Sequence, residues 1–190
     1  MFISKNKYFL IIESIKDIDL KNIKKRDKFS IIYRNKSKIE NITDLLNFRR
    51  ICRLKSVEFY VANNTRLGVL LNSDGIYLSA FNKSFKPLSL KTSNFKLIGS
   101  AHNLKEISLK AKQGCGVILL SKLFLVNYNK KAPYLGVIKF NNYLKIHKNL
   151  IPLGGISISN LNNLNNINCI GFALLSEIKK KPANIINRLF

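Results

Sequence analysis

Acid is scarce in this chain. Ten Asp and Glu residues stand against thirty-three Lys and Arg, a formal net charge of +23 over 190 residues. Any chemistry that gathers carboxylates around a metal therefore has few residues to draw on. Long apolar runs are also missing: none approaches the roughly 20 residues of a membrane span, so no membrane partner is expected. The three cysteines, Cys52, Cys115 and Cys169, are odd in number and sit among apolar residues. Reduced, buried thiols in a cytoplasmic protein are expected, and not a disulfide framework. Lys5 and Lys7 precede an apolar run that is short and leads into Glu13 and Asp17, which argues against a signal peptide. No linker or low-complexity tail divides the chain, and its length suits one domain over residues 1–190.

The basic surplus has two readings. A polyanion partner such as nucleic acid would exploit it. Alternatively, heavy use of Lys, Asn and Ile follows from AT-rich coding whatever the function. The lysines are scattered through every segment, and the densest groups, Lys21 to Arg26 and Lys179 to Lys181, fall where solvated helix surface or a helix end is expected. No zinc-ligand spacing, RNA-binding aromatic motif or heptad pattern accompanies them. Net charge bears on solubility and non-specific binding and not on fold, so nucleic acid is not the expected partner.

What is present is alternation. Short apolar runs over Tyr8–Ile12, Lys28–Tyr33, Glu58–Ala62, Gly75–Ser79, Phe95–Gly99 and Gly116–Leu120 read as buried parallel strands. Between them lie helical patterns over Asp17–Lys25, Ile39–Leu54, Thr65–Leu71, Leu104–Gln113 and Ile138–Lys148, with an irregular segment over Phe81–Asn94. Two further strands follow. Leu150–Leu153 stops at Gly154-Gly155, where the backbone turns without a Cβ penalty. Cys169–Leu175 stops at Ser176, a good residue to open a helix. About eight such units predict a compact (β/α)₈ TIM barrel, an α/β fold with some helices short or replaced by loops. Bare amides after strand seven and a fresh helix N-terminus after strand eight suit a phosphate, the place where such barrels often hold one. Gly154, Gly155 and Ser176 are the expected phosphate-binding residues.

Taken in order, these pieces resemble the thiamine phosphate synthase family and its thiazole tautomerase (TenI) relatives. The resemblance runs through Ile32-Tyr-Arg34-Asn-Lys36, Ala62-Asn63, Ser73-Asp74-Gly75-Ile-Tyr77-Leu-Ser79 and Ser100-Ala101-His102 with Glu106. It continues through Ser121-Lys-Leu-Phe124, Pro133-Tyr-Leu135-Gly136, Leu153-Gly-Gly-Ile156, Asn160 and Gly171-Phe-Ala-Leu-Leu-Ser176. It implies an enzyme that joins an aminopyrimidine diphosphate to a thiazole phosphate and releases pyrophosphate with Mg²⁺. A metal and fixed cations would neutralise that leaving group.

The departures cluster. Asn63 and Asn82 occupy the positions of the family's two metal-binding Asp residues, so no metal ligand is expected there: an amide oxygen brings no charge to Mg²⁺. Of the ten acids, only Glu13 and Glu177 fall near the C-terminal end of an expected strand. Val126-Asn-Tyr128-Asn129 replaces Thr-x-Thr-Lys, and Ile32 replaces a Gln. Arg34 and Lys36 keep the family's basic pair. Lys122 stands where the tautomerases carry a catalytic His, and serves as a base only if its amine sheds its proton. His102 is a second candidate base, or else a histidine packed at a strand end. The resemblance thus implies a cytoplasmic protein of thiamine biosynthesis that binds a phosphorylated, thiazole phosphate-like small molecule. Synthase activity is expected to be weakened or lost, with no cofactor beyond the family's Mg²⁺, and a homodimer is allowed for. A metal-free tautomerase, a nucleic-acid binder and an interaction protein are the alternatives.

Overall fold

The strands of this protein are apolar on both faces because both faces are covered. In the computed structural model, which describes residues 5–23, 27–35, 40–92, 94–126, 131 and 133–175, eight parallel strands close into a barrel. They are β1 (Lys7–Ile12), β2 (Phe29–Tyr33), β3 (Glu58–Ala62), β4 (Gly75–Leu78), β5 (Lys96–Ala101), β6 (Val117–Ser121), β7 (Leu150–Leu153) and β8 (Gly171–Leu174). Each pairs with the next, and β1 pairs with β8 from Lys7↔Gly171 to Leu10↔Leu174, which leaves no free edge.

Side chains alternate across the barrel wall. Phe9, Ile11, Ile32, Tyr60, Tyr77, Ile98, Leu119, Ile151 and Ala173 fill the interior. Their neighbours in sequence, such as Tyr8, Leu10, Ile31, Phe59, Ile76 and Leu120, face outward into a second core shared with the helices. Burying each such side chain is worth about 1.5–3 kcal/mol.

Helices α1 (Ile42–Leu54), α2 (Thr65–Leu70), α3 (Leu104–Lys112) and α4 (Gly136–Ile146) follow β2, β3, β5 and β6. Asn41, Asn64 and Asn103 cap the first three through side-chain oxygens. The other described connections are 3₁₀ turns: Ile15–Asp17 and Leu20–Asn22 after β1, Lys86–Leu90 after β4, and Ile158–Asn166 after β7.

Within its described part, residues 17–23, the helix expected over Asp17–Lys25 is therefore corrected to two 3₁₀ turns; Lys24 and Lys25 lie outside the described residues. Ser14 caps the first and Asp19 the second, each accepting from a backbone N–H two residues on. The Asp17 carboxylate reaches back to the Glu13 and Ser14 amides at 2.8 and 3.0 Å. These local bonds compete with a continuous helix. Helix α4 begins two residues ahead of its expected start at Ile138. The helix expected after Ser176 lies outside the described residues.

Candidate functional site

The C-terminal ends of the strands form the mouth of the barrel, and the glycine turn sits on one side of it. Gly154 (φ 90°) and Gly155 (φ 71°) both take left-handed conformations. A Cβ on Gly155 would run into the Phe124 carbonyl oxygen and stand 2.6 Å from that of Leu125, so this position admits no side chain. The carbonyls of the turn are taken. Leu153 O accepts from Leu123 N at 2.9 Å, Gly154 O from Phe124 N at 3.0 Å, and Gly155 O from Asn160 Nδ2 at 2.7 Å. Among the described residues, the Gly154 and Gly155 N–H groups donate to no protein acceptor. Lys122 lies against this turn: its Cα would be 3.3 Å from a Cβ on Gly154.

Arg34 leaves β2 with its N–H on the Ile12 carbonyl at 2.8 Å. Burial pushes the phenol of Tyr77, at the end of β4, above its ordinary value. A hydrogen bond with Ser100 and the positive charge of Arg34 pull against that shift, which puts Arg34 within electrostatic reach of Tyr77. Lys36 and Ser176, the remaining partners expected here, lie outside the described residues.

The opposite side of the mouth is built from amides. Asn63, at the end of β3, adopts φ 58°, a conformation Asn tolerates better than most residues. Its Oδ1 accepts from Ser79 N and from Asn82 Nδ2, each at 3.0 Å. Asn63 and Asn82, the two residues expected in place of metal-binding acids, thus meet as a hydrogen-bonded amide pair. The donor set does not fit Mg²⁺: the oxygens are uncharged, and both lone pairs of Asn63 Oδ1 already face N–H groups. Among the described residues, no group of three or more His, Cys, Asp and Glu side chains could hold a metal ion.

His102 follows β5 and remains partly open to solvent. Its N–H and ring Nδ1 both meet Glu106 Oε2, at 2.7 and 3.0 Å, and its ring lies 6.0 Å from that of Phe81. Burial pushes the Glu106 carboxyl up, but bonds from the His102 amide and ring and from Asn103 outweigh it and hold the group below its usual range. The His102 ring therefore has an acidic partner that orients it, a requirement for a base.

The acidic inventory needs one correction. Asp17 and Glu40 lie on the loops at this end of the barrel, alongside Glu13, and Glu106 lies in the first turn of α3. Asp17 binds backbone amides. Glu40, expected in the first turn of a helix, precedes α1 and accepts from Ser14 Oγ at 2.6 Å and Ile15 N at 3.2 Å. These carboxylates hold loops and do not converge. Glu58 and Asp74 sit at the N-terminal end, as expected. Glu58 meets Lys7 and Lys96 at 2.7 and 2.8 Å. Burial opposes ionisation of Glu58, and bonds from Lys7, Lys96 and Ser30 overcome it, lowering its carboxyl to about 2. A pocket of about 280 Å³ beside this triad includes none of the candidate site residues.

Two residues that sequence reasoning missed stand behind the amide side. Lys110 and Gln113 of the α3 region are buried beneath the loop that carries Asn82. The available signal was spacing: Ile107 and Lys110 fall on one face of α3, and that face is the buried one.

Comparison with known proteins agrees with the architecture. The family model described as thiamine monophosphate synthase matches residues 10–178. The thiamine-phosphate synthase of Flavobacterium psychrophilum is 24% identical over 151 residues, covering 74% of this chain and 73% of its own. That of Persephonella marina is 23% identical over 149 residues, covering 77% and 71%. Among solved structures, thiamine phosphate pyrophosphorylase from Pyrococcus furiosus superposes with a TM-score of 0.74 at 16% identity, over 98% of this chain and 96% of that one. KGPDC from Streptococcus mutans reaches 0.63 at 7% identity, over 97% and 95%. At these identities the superpositions speak for the fold alone. With the family model matching most of its length, the chain belongs to the thiamine monophosphate synthase family.

Proposed function

We propose that this protein binds a phosphorylated, thiazole phosphate-like small molecule at the barrel mouth, and that Mg²⁺-dependent synthase activity is weakened or lost. The Gly154 and Gly155 amides, with Ser176, would receive the phosphoryl group. Arg34 and Lys36 would supply positive charge from across the mouth, and a bidentate guanidinium suits phosphate oxygens. The observation that carries the second half of the reading is the amide pair. Asn63 Oδ1 accepts from Ser79 N and Asn82 Nδ2, so the oxygens that would face a divalent ion carry no charge and are already engaged. A diphosphate leaving group would then depart without the metal that normally neutralises it. The test is turnover of aminopyrimidine diphosphate and thiazole phosphate with Mg²⁺. We expect thiamine phosphate to form far more slowly than with an ordinary synthase; formation at ordinary rates would overturn the reading.

A metal-free tautomerase is the second reading, favoured by the position of Lys122 against Gly154. A base there would reach a ring whose phosphate sits in the glycine turn. Isomerisation of a thiazole carboxylate phosphate, abolished by Lys122→Ala, would support it.

A further inference from the structure

Lys110 is the only fully buried lysine among the described residues. An ammonium taken out of water costs several kcal/mol unless acceptors surround it. Here Nζ donates to the Asn82 backbone oxygen at 2.6 Å and to Gln113 Oε1 at 2.9 Å. Gln113 Nε2 donates in turn to Asn82 O at 3.1 Å and to Ser84 O at 2.7 Å. Room for the lysine stem comes from Gly99 on β5, where a Cβ would stand 2.9 Å from Lys110 Cγ and Cδ. Burial pushes the ammonium down from its usual value, and the Glu106 carboxylate partly offsets that.

The loop that receives this ammonium carries Asn82, and every polar group of Asn82 is engaged. Its N–H binds Ser79 O at 3.0 Å, its Oδ1 accepts from Ser84 N at 2.9 Å, and its Nδ2 reaches Asn63. A chain of hydrogen bonds therefore runs from α3 through the Asn82 loop to the end of β3. It links the elements that a divalent ion shared by residues 63 and 82 would have linked.

We propose that Lys110 is a positioning residue: its fixed ammonium holds the Asn82 loop against Asn63 and so assembles this side of the mouth without a divalent ion. The inference rests on the metal-free reading above and adds the group that replaces the ion. The Lys110 bond is charge-assisted, which makes it stronger than a neutral one. The same charge disfavours any second cation nearby.

The test uses the full chain and has three parts. In the unaltered protein, ¹⁵N-lysine spectra should contain one slowly exchanging, hydrogen-bonded ammonium; its absence would overturn the proposal whether or not any variant folds. The chain contains no tryptophan and Phe81 is 82% exposed, so Phe81→Trp places a single reporter beside Asn82. In that background, Lys110→Met should raise hydrogen exchange at Asn82 and Ser84 about tenfold and lower the Trp anisotropy, with the β-strand amides unchanged. Gln113→Leu, which keeps the ammonium, should do so to a smaller extent. Finally, Mn²⁺ should show no saturable binding to the unaltered protein. It should bind Asn63→Asp/Asn82→Asp, and bind about tenfold more tightly when Lys110→Met is added, an effect a merely structural lysine would not produce. Saturable Mn²⁺ binding to the unaltered protein would sink the metal-free reading itself. No Mn²⁺ binding, with loop exchange unmoved by Lys110→Met, would sink the role of Lys110 alone.

Discussion

The two sides of the barrel mouth have been kept in different ways. The Gly154–Gly155 side depends on backbone shape: positive φ angles and a Cβ position filled by the Phe124 and Leu125 carbonyls leave glycine as the residue that fits. The Asn63–Asn82 side depends on side-chain chemistry, and there an amide pair carries none of the charge that a metal needs. A cradle made of backbone tolerates loss of a metal; a carboxylate site does not. On the proposed reading, one side would therefore receive a phosphoryl group while the other holds no cation.

Substitutions can break this contrast. Gly155→Ala should have the largest effect. It combines a left-handed side chain with a backbone clash, costs about 3–5 kcal/mol in denaturant unfolding, and removes phosphate-ligand binding. Gly154→Ala should cost less, because its Cβ would meet Lys122 at 3.3 Å and not a carbonyl oxygen. Arg34→Ala should weaken thiazole phosphate binding by calorimetry roughly 10–100-fold with little change in melting, the loss of one charge-assisted contact. Glu58→Gln, at the far end of the barrel, should leave that binding unchanged while lowering stability by about 1–2 kcal/mol at neutral pH.

The Glu58 effect has a defined pH window. Its folded carboxyl lies at about 2, below the ordinary 4.5, so its contribution is present in full above the ordinary value and is lost as pH falls through about 2. Glu58→Gln should flatten that limb of the stability curve. The smallest effect sharpens the amide side. Asn82→Asp removes the donor to Asn63 and should cost about 1 kcal/mol, whereas Asn63→Asp keeps an acceptor for both Ser79 and Asn82 and should cost less.

Much of this molecule was legible in its sequence. Runs such as Tyr8–Ile12 are apolar on both faces, which only a covered parallel sheet requires, and the strand boundaries fell within a residue or two. The glycine pair and the two asparagines stood out because each is a residue type the expected chemistry either needs or cannot use. What escaped reading depends on distant or competing contacts. The segment after β1 has helical spacing, but Ser14, Asp17 and Asp19 satisfy its backbone turn by turn. In the sequence Lys110 is one more lysine of a basic chain. Its burial is decided by Gly99 and by the Asn82 carbonyl, 28 residues away, which no local pattern encodes. Glu40 likewise reads as a helix-start acid until Ser14, 26 residues distant, is brought beside it.

The most direct test is a calorimetric titration of thiazole phosphate into the protein, with Mg²⁺ and again with a chelator. Equal affinity under the two conditions, abolished by Gly155→Ala, is what a metal-free phosphate cradle requires. An affinity that appears only with Mg²⁺ would show that the amide side still holds an ion, and would contradict the account.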